Sequence, residues 1–84
     1  MNRTQLTEKL KTIITPYANN IQALETLEED TDFINDLNIN SANLVDIILD
    51  IEEQFNIVID NTDMERMLTV RASLDIIETK LSTQ

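Results

Sequence analysis

Chemistry in a protein needs a nucleophile, a proton-transferring base or a metal ligand, and the inventory here is thin. The sequence has no histidine and no cysteine. Ser-His-Asp and Cys-His constellations are therefore impossible, no disulfide or thiolate site can form, and zinc would have only carboxylates. Paired carboxylates acting as acid and base need a cleft that desolvates one of them, yet most acidic residues here fall on helix faces that read as exposed. Asp60, Asp63 and Glu65 lack the alternating ligand spacing and the turn glycine of a calcium-binding EF-hand loop. Neither an enzyme nor a metal protein is expected. What stands out is Ser41, which closes the run Asp36-Leu37-Asn38-Ile39-Asn40-Ser41 and opens the most apolar helical pattern of the chain. Taken alone, a serine there is an N-cap, worth about 1 kcal/mol.

The elements that must position Ser41 follow from periodicity. Leu6, Leu10, Ile13 and Ile14 recur at helical spacing from about Thr4 to Thr15, and Pro16 ends that helix. From Tyr17 to Asn40 the pattern loosens. Ile21, Leu24 and Leu27 allow a helical turn, and the remainder reads as a long, partly ordered loop anchored by Phe33, Ile34 and Leu37. Between Ser41 and Phe55, Leu44, Ile48, Ile51 and Phe55 step by four, three and four, with Val45 and Ile47 widening the stripe. Glycine is absent, so turns requiring positive φ must use Asn or Asp, and Asn56 is placed to terminate this helix. Ile57-Val58-Ile59 is too isolated for a sheet and reads as an extended connection. A short helix capped by Asn61 or Thr62 and running to Met67 follows, then a last one from Thr69 carrying Val70, Leu74, Ile77 and Leu81. The fold expected is an all-α four-helix bundle, with a long loop between helices 1 and 2 and a short third helix, in a single domain over residues 1–84.

Charge narrows the partners. Six basic residues against sixteen acidic ones give a formal charge of -10. Such a surface repels nucleic-acid phosphates and anionic lipids and suits basic proteins, although acidity also simply maintains solubility. Asp46, Asp50 and Glu53 follow at steps of four and three and share one stripe of the helix headed by Ser41, with Glu52 beside it. A solvated helix face would look the same. The N-terminal MNRTQLTEKL lacks a secretory apolar core, and no apolar run approaches the roughly 20 residues of a membrane span, so a soluble cytoplasmic protein is expected.

The stretch DLNINSANLVDIILDIEEQF resembles the segment of acyl carrier proteins that bears the modified serine, usually Asp-Leu-Gly-x-Asp-Ser-Leu followed by an acidic amphipathic helix. Ser41 falls on that serine. Phe33, Phe55, Ile59 and Thr69-Val70 match further landmarks, so the resemblance runs from about Leu6 to Leu81. It implies that a phosphopantetheinyl transferase attaches 4'-phosphopantetheine from coenzyme A to Ser41, whose arm then carries acyl groups as thioesters for fatty-acid or polyketide-type synthesis. A thiol supplied by the arm would explain the missing cysteine.

The same resemblance implies that this helix docks on basic patches of acyl-loading and synthase enzymes, with Asp46, Glu52 and Glu53 on acidic positions of the family and Asp50 joining them through the shared stripe. Phe33, Val45, Ile59, Met64, Met67 and Leu74 would border an acyl pocket, although these residues, like Leu37, Leu49, Phe55 and Val70, read first as core. A shuttle visiting several active sites is best served as a monomer. Four departures are visible. Asn40 stands for the aspartate before the serine, Asn38 for the glycine, Ala42 for the leucine after it, and Asp60 for a proline. Asn38 is compatible because Asn enters the left-handed region more readily than most residues. Asn40 keeps a capping side chain and loses a charge that partners could read. Two alternatives stay open: a carrier of aminoacyl or other specialised cargo, and an acidic interaction module that is never modified.

Overall fold

The computed structural model describes residues 2–82. Helix α1 (Arg3–Ile14) begins in a capping box: Asn2 Oδ1 accepts the Gln5 N–H at 2.8 Å while Gln5 Oε1 accepts the Asn2 N–H at 3.1 Å. Its stripe of Leu6, Leu10, Ile13 and Ile14 is buried as the periodicity predicts. Pro16 sits in the 3₁₀ turn Thr15–Tyr17 that ends the helix. Helix α2 (Ile21–Glu25) is more than the single turn expected there. Asn20 caps it by accepting the Ala23 N–H, and Leu24 anchors it in the core.

Helix α3 (Leu44–Phe55) follows a 3₁₀ turn at Ser41–Asn43. It buries Ile47, Ile48, Ile51 and Phe55 and ends on Asn56 in the left-handed conformation (φ 53°, ψ 51°), the cap expected in a chain without glycine. Helix α4 (Asn61–Arg66) is capped by Asp60, which accepts the Asp63 N–H at 2.8 Å, and not by Asn61 or Thr62. The extended backbone of Asp60 (φ -86°, ψ 175°) turns its carboxylate toward the helix. This accounts for an aspartate where carriers often have proline. Helix α5 (Val70–Ser82) buries Val70, Ser73, Leu74, Ile76 and Ile77.

The three main helices and the short α4 form the expected all-α bundle, in which α1 packs on both α3 and α5 and α4 packs on α5. Among the described residues there is no strand, only an isolated antiparallel bridge between Asp32 and Thr69. There the Phe33 N–H donates to the Leu68 carbonyl at 2.9 Å and the Val70 N–H to the Thr31 carbonyl at 3.1 Å, tying the long loop to the head of α5. Arg3 adds a clasp across the same end, reaching Glu29 at 2.7 Å, Asp75 at 3.0 Å and Glu78. No described helix is long and apolar enough to cross a membrane.

Candidate functional site

The chain before Ser41 is held by its own polar groups. Asp32 Oδ1 accepts the N–H groups of Ile34 and Asn35, and Asp36 Oδ2 accepts the Asp32 N–H at 2.7 Å. The side-chain amides of Asn19 and Asn20 donate to the carbonyls of Asn38 and Asp36 at 2.8 and 3.0 Å. Asn38 takes φ 58°, the left-handed geometry that a glycine would otherwise supply. On either side of it Leu37 and Ile39 plug into the core, both almost fully buried. Ile39 was absent from the expected loop anchors, where Ile34, only half-buried, stood instead. The alternation Leu37-Asn38-Ile39 was the available signal.

Ser41 is exposed where this loop meets α3. It is not the cap that a serine alone suggests. Asn40 takes that role, its Oδ1 accepting the Ala42 N–H at 2.9 Å and its carbonyl the Asn43 N–H at 2.8 Å, while the Leu44 N–H bonds the Ser41 carbonyl. The extended Asn40 (φ -63°, ψ 132°) already faces the first turn, so the Ser41 hydroxyl is left outside the capping bonds. The N–H groups of residues 42, 43 and 44 are thereby satisfied internally. What α3 offers at Ser41 is the positive end of its dipole rather than a set of open donors. Serines occur only at 41, 73 and 82. Ser73 is fully buried and Ser82 is the last residue of α5. An exposed hydroxyl, free of structural duty and beside a helix N-terminus, fits a phosphodiester-linked prosthetic group.

The outward side of α3 carries the acidic stripe. Asp46 and Glu53 are exposed. Asp50 is half-buried and accepts a hydrogen bond from the Tyr17 hydroxyl at 3.1 Å, and desolvation together with that carboxylate pushes the phenol above its ordinary value. Glu52 is turned inward to accept the Ile59 N–H at 2.8 Å, which ties the 57–59 connection to the helix. Val45 and Leu49, expected in the core, are 51 % and 55 % exposed on this side. Val45 lies about 100° round the helix from Leu44, too far to join the stripe centred on Ile48 and Ile51.

Of the other residues expected to border a pocket, Phe33, Ile59, Met67 and Leu74 are buried together in the core, and Met64 packs against it from α4. A surface groove of about 340 Å³ lined by Lys9, Thr12, Ile13, Pro16, Asp50 and Gln54 shares no residue with that set. Helix α4 is tethered to α5 by Lys80, 2.9 Å from Asp63. The ammonium holds the Asp63 carboxyl below its ordinary range, and the carboxylate raises Lys80 in turn. Among the described residues no cluster of three or more carboxylates could hold a metal ion.

A small helical bundle that lifts one serine clear of its capping bonds, at the head of an acidic helix and above an apolar core, has the form of a carrier domain. Comparison with known proteins agrees. Residues 5–77 match the family described as the phosphopantetheine attachment site. The chain is similar to the acyl carrier proteins of Coprothermobacter proteolyticus (32 % identity over 84 residues, all of both chains) and Thermotoga maritima (32 % over 80 residues, 95 % of this chain and 96 % of that one). It is also similar to that of Buchnera aphidicola subsp. Schizaphis graminum, with 36 % identity over 73 residues, 87 % of this chain and 90 % of that one. The chain belongs to the phosphopantetheine-attachment family, and within it to the acyl carrier proteins. Carriers of this family are not catalysts. They hold 4'-phosphopantetheine as prosthetic group and work with a phosphopantetheinyl transferase and synthase enzymes.

Proposed function

We propose that Ser41 is the attachment residue and that the protein is a monomeric cytoplasmic carrier for fatty-acid or polyketide-type synthesis. The observation that carries this is the Asn40 cap, which leaves the exposed Ser41 hydroxyl free at the loop–helix junction. In the attachment reaction Ser41 Oγ forms a bond to the phosphorus bearing the pantetheine of coenzyme A. The pyrophosphate P–O bond breaks, adenosine 3',5'-bisphosphate leaves, and the hydroxyl proton passes to a base of the transferase. The dipole of α3 favours the resulting anionic phosphodiester. The attached arm supplies a thiol for thioester chemistry, which the chain, lacking cysteine, does not have.

Asp46, Asp50 and Glu53 form the acidic component of a docking face for basic patches on the transferase and the synthases, with the exposed Val45 and Leu49 as an apolar component beside them. Steering of this kind gives fast, short-lived association. Glu52 contributes charge at the margin while bracing Ile59. Phe33, Ile59, Met67 and Leu74, with Met64 as an adaptable edge, are the core residues between which a cargo chain would shelter, and Val45 stands at the outer rim. Intact mass after incubation with coenzyme A and a broad-specificity transferase tests the assignment. Wild type gains one phosphopantetheine and Ser41→Ala none; a modified Ser41→Ala protein would overturn it.

A further inference from the structure

Five threonines in the helices or at their C-terminal ends bond back to their own backbone. Thr7, Thr12, Thr15, Thr26 and Thr79 each donate from Oγ1 to the carbonyl four residues earlier, at 2.6 to 3.0 Å. Ser73, on the same α5 as Thr79, does not. The Thr69 carbonyl that would serve it receives only the Ser73 backbone N–H, at 3.1 Å. The Ser73 hydroxyl is fully buried, with no hydrogen-bond partner among the described residues. The contrast with Thr31, the other buried hydroxyl, is direct, since Thr31 Oγ1 accepts the Glu28 N–H at 2.9 Å. Asp63, which also has an enclosed oxygen, has Lys80 as counter-ion.

A buried hydroxyl left unpaired weakens a fold, and an alanine at position 73 would keep the helix and remove the cost. Ser73 is buried with Val70, Leu74, Ile76 and Ile77 on the inner face of α5, next to Leu74, one of the residues proposed above to shelter cargo. Resting on the proposed sheltering of cargo in this core, we infer that Ser73 is a specificity-determining residue: its hydroxyl selects acyl chains that carry a keto or hydroxyl oxygen over fully saturated ones. A saturated chain entering beside Ser73 leaves the hydroxyl unpaired. An oxygen at the matching depth accepts or donates the missing hydrogen bond in a low-dielectric site, where the discrimination is largest.

The test uses the full chain loaded by a transferase from synthetic coenzyme A thioesters of matched length, one series saturated and one bearing a single keto or hydroxyl oxygen at successive carbons. Melting temperature is read for wild type and Ser73→Ala. In wild type one oxygenated member raises the melting temperature by about 4 °C more than its saturated counterpart. In Ser73→Ala that increment is lost, and the unloaded variant melts no lower than unloaded wild type. If saturated chains raise the melting temperature and no oxygenated member exceeds them, or if the increment persists in Ser73→Ala, the role of Ser73 is overturned while the sheltering reading stands. If no cargo of either series changes the melting temperature, sheltering itself fails and the inference falls with it.

Discussion

The two sides of α3 differ in almost every physical respect. The inner side, Ile47, Ile48, Ile51 and Phe55, is apolar, buried and packed against α1, and it holds the bundle together. The outer side begins with Ser41 and continues through Val45, Asp46, Leu49 and Glu53, all exposed. The residues that hold the fold and those proposed to meet partners thus lie on opposite sides of one helix. The lesson is that exposed apolar residues on the outer side are misread when every apolar residue is assigned to the core.

That separation is open to direct attack. The largest effect is expected from Ser41→Ala, which abolishes modification altogether while shifting stability by no more than about 0.5 kcal/mol, as surface changes do. Ile51→Ala, at a fully buried position, is its mirror. It should cost about 2–5 kcal/mol in chemical or thermal unfolding, a large share of a small domain's total. A loss below about 1 kcal/mol would show that the inner side does not hold the bundle together. Asn40→Ala joins the two sides, because the cap both starts the helix and presents the serine. It should lower stability by about 1 kcal/mol and also slow modification, whereas a change in one without the other would uncouple them. Glu53→Lys should slow modification about 3-fold at low ionic strength, with an unchanged melting temperature and a difference that fades in high salt.

The smallest effect concerns the far end of the molecule. Asp63 titrates lower in the fold than in the unfolded chain, chiefly because of its bond to Lys80. Its contribution is therefore fully present above the unfolded aspartate value of about 3.9 and is lost as pH falls through the lower folded value. Asp63→Asn should be slightly less stable at neutral pH and should lose less stability than wild type below about pH 4. Parallel acid-unfolding curves for the two proteins would contradict this tether between α4 and α5.

Much of the scaffold was legible in the sequence because α1, α3 and α5 carry unbroken apolar periodicity, and Asn38 and Asn56 are the residues a glycine-free chain must use where φ is positive. The missed features depend on relations that spacing does not encode. Helix α2 is five residues long with a single buried side chain, and its order comes from Asn20 and from the loop packed beside it. Several polar residues were eligible to cap α4, and only the backbone direction singles out Asp60. Asn40 and Ser41 are equally good capping residues by type, so the sequence could mark the junction without saying which of them caps it. Glu52 looked like one more surface acid because its partner, the Ile59 N–H, lies beyond the end of the helix. The Ser73 hydroxyl is conspicuous only once its burial and missing partner are seen.

The central claim, that the outer head of α3 is the functional end of this carrier, is tested most directly by locating the modification. Fragmentation mass spectrometry of wild-type protein converted with coenzyme A should place a single phosphopantetheine on Ser41. Its appearance on Ser82 or on any threonine, with Ser41 unmodified, would contradict the account.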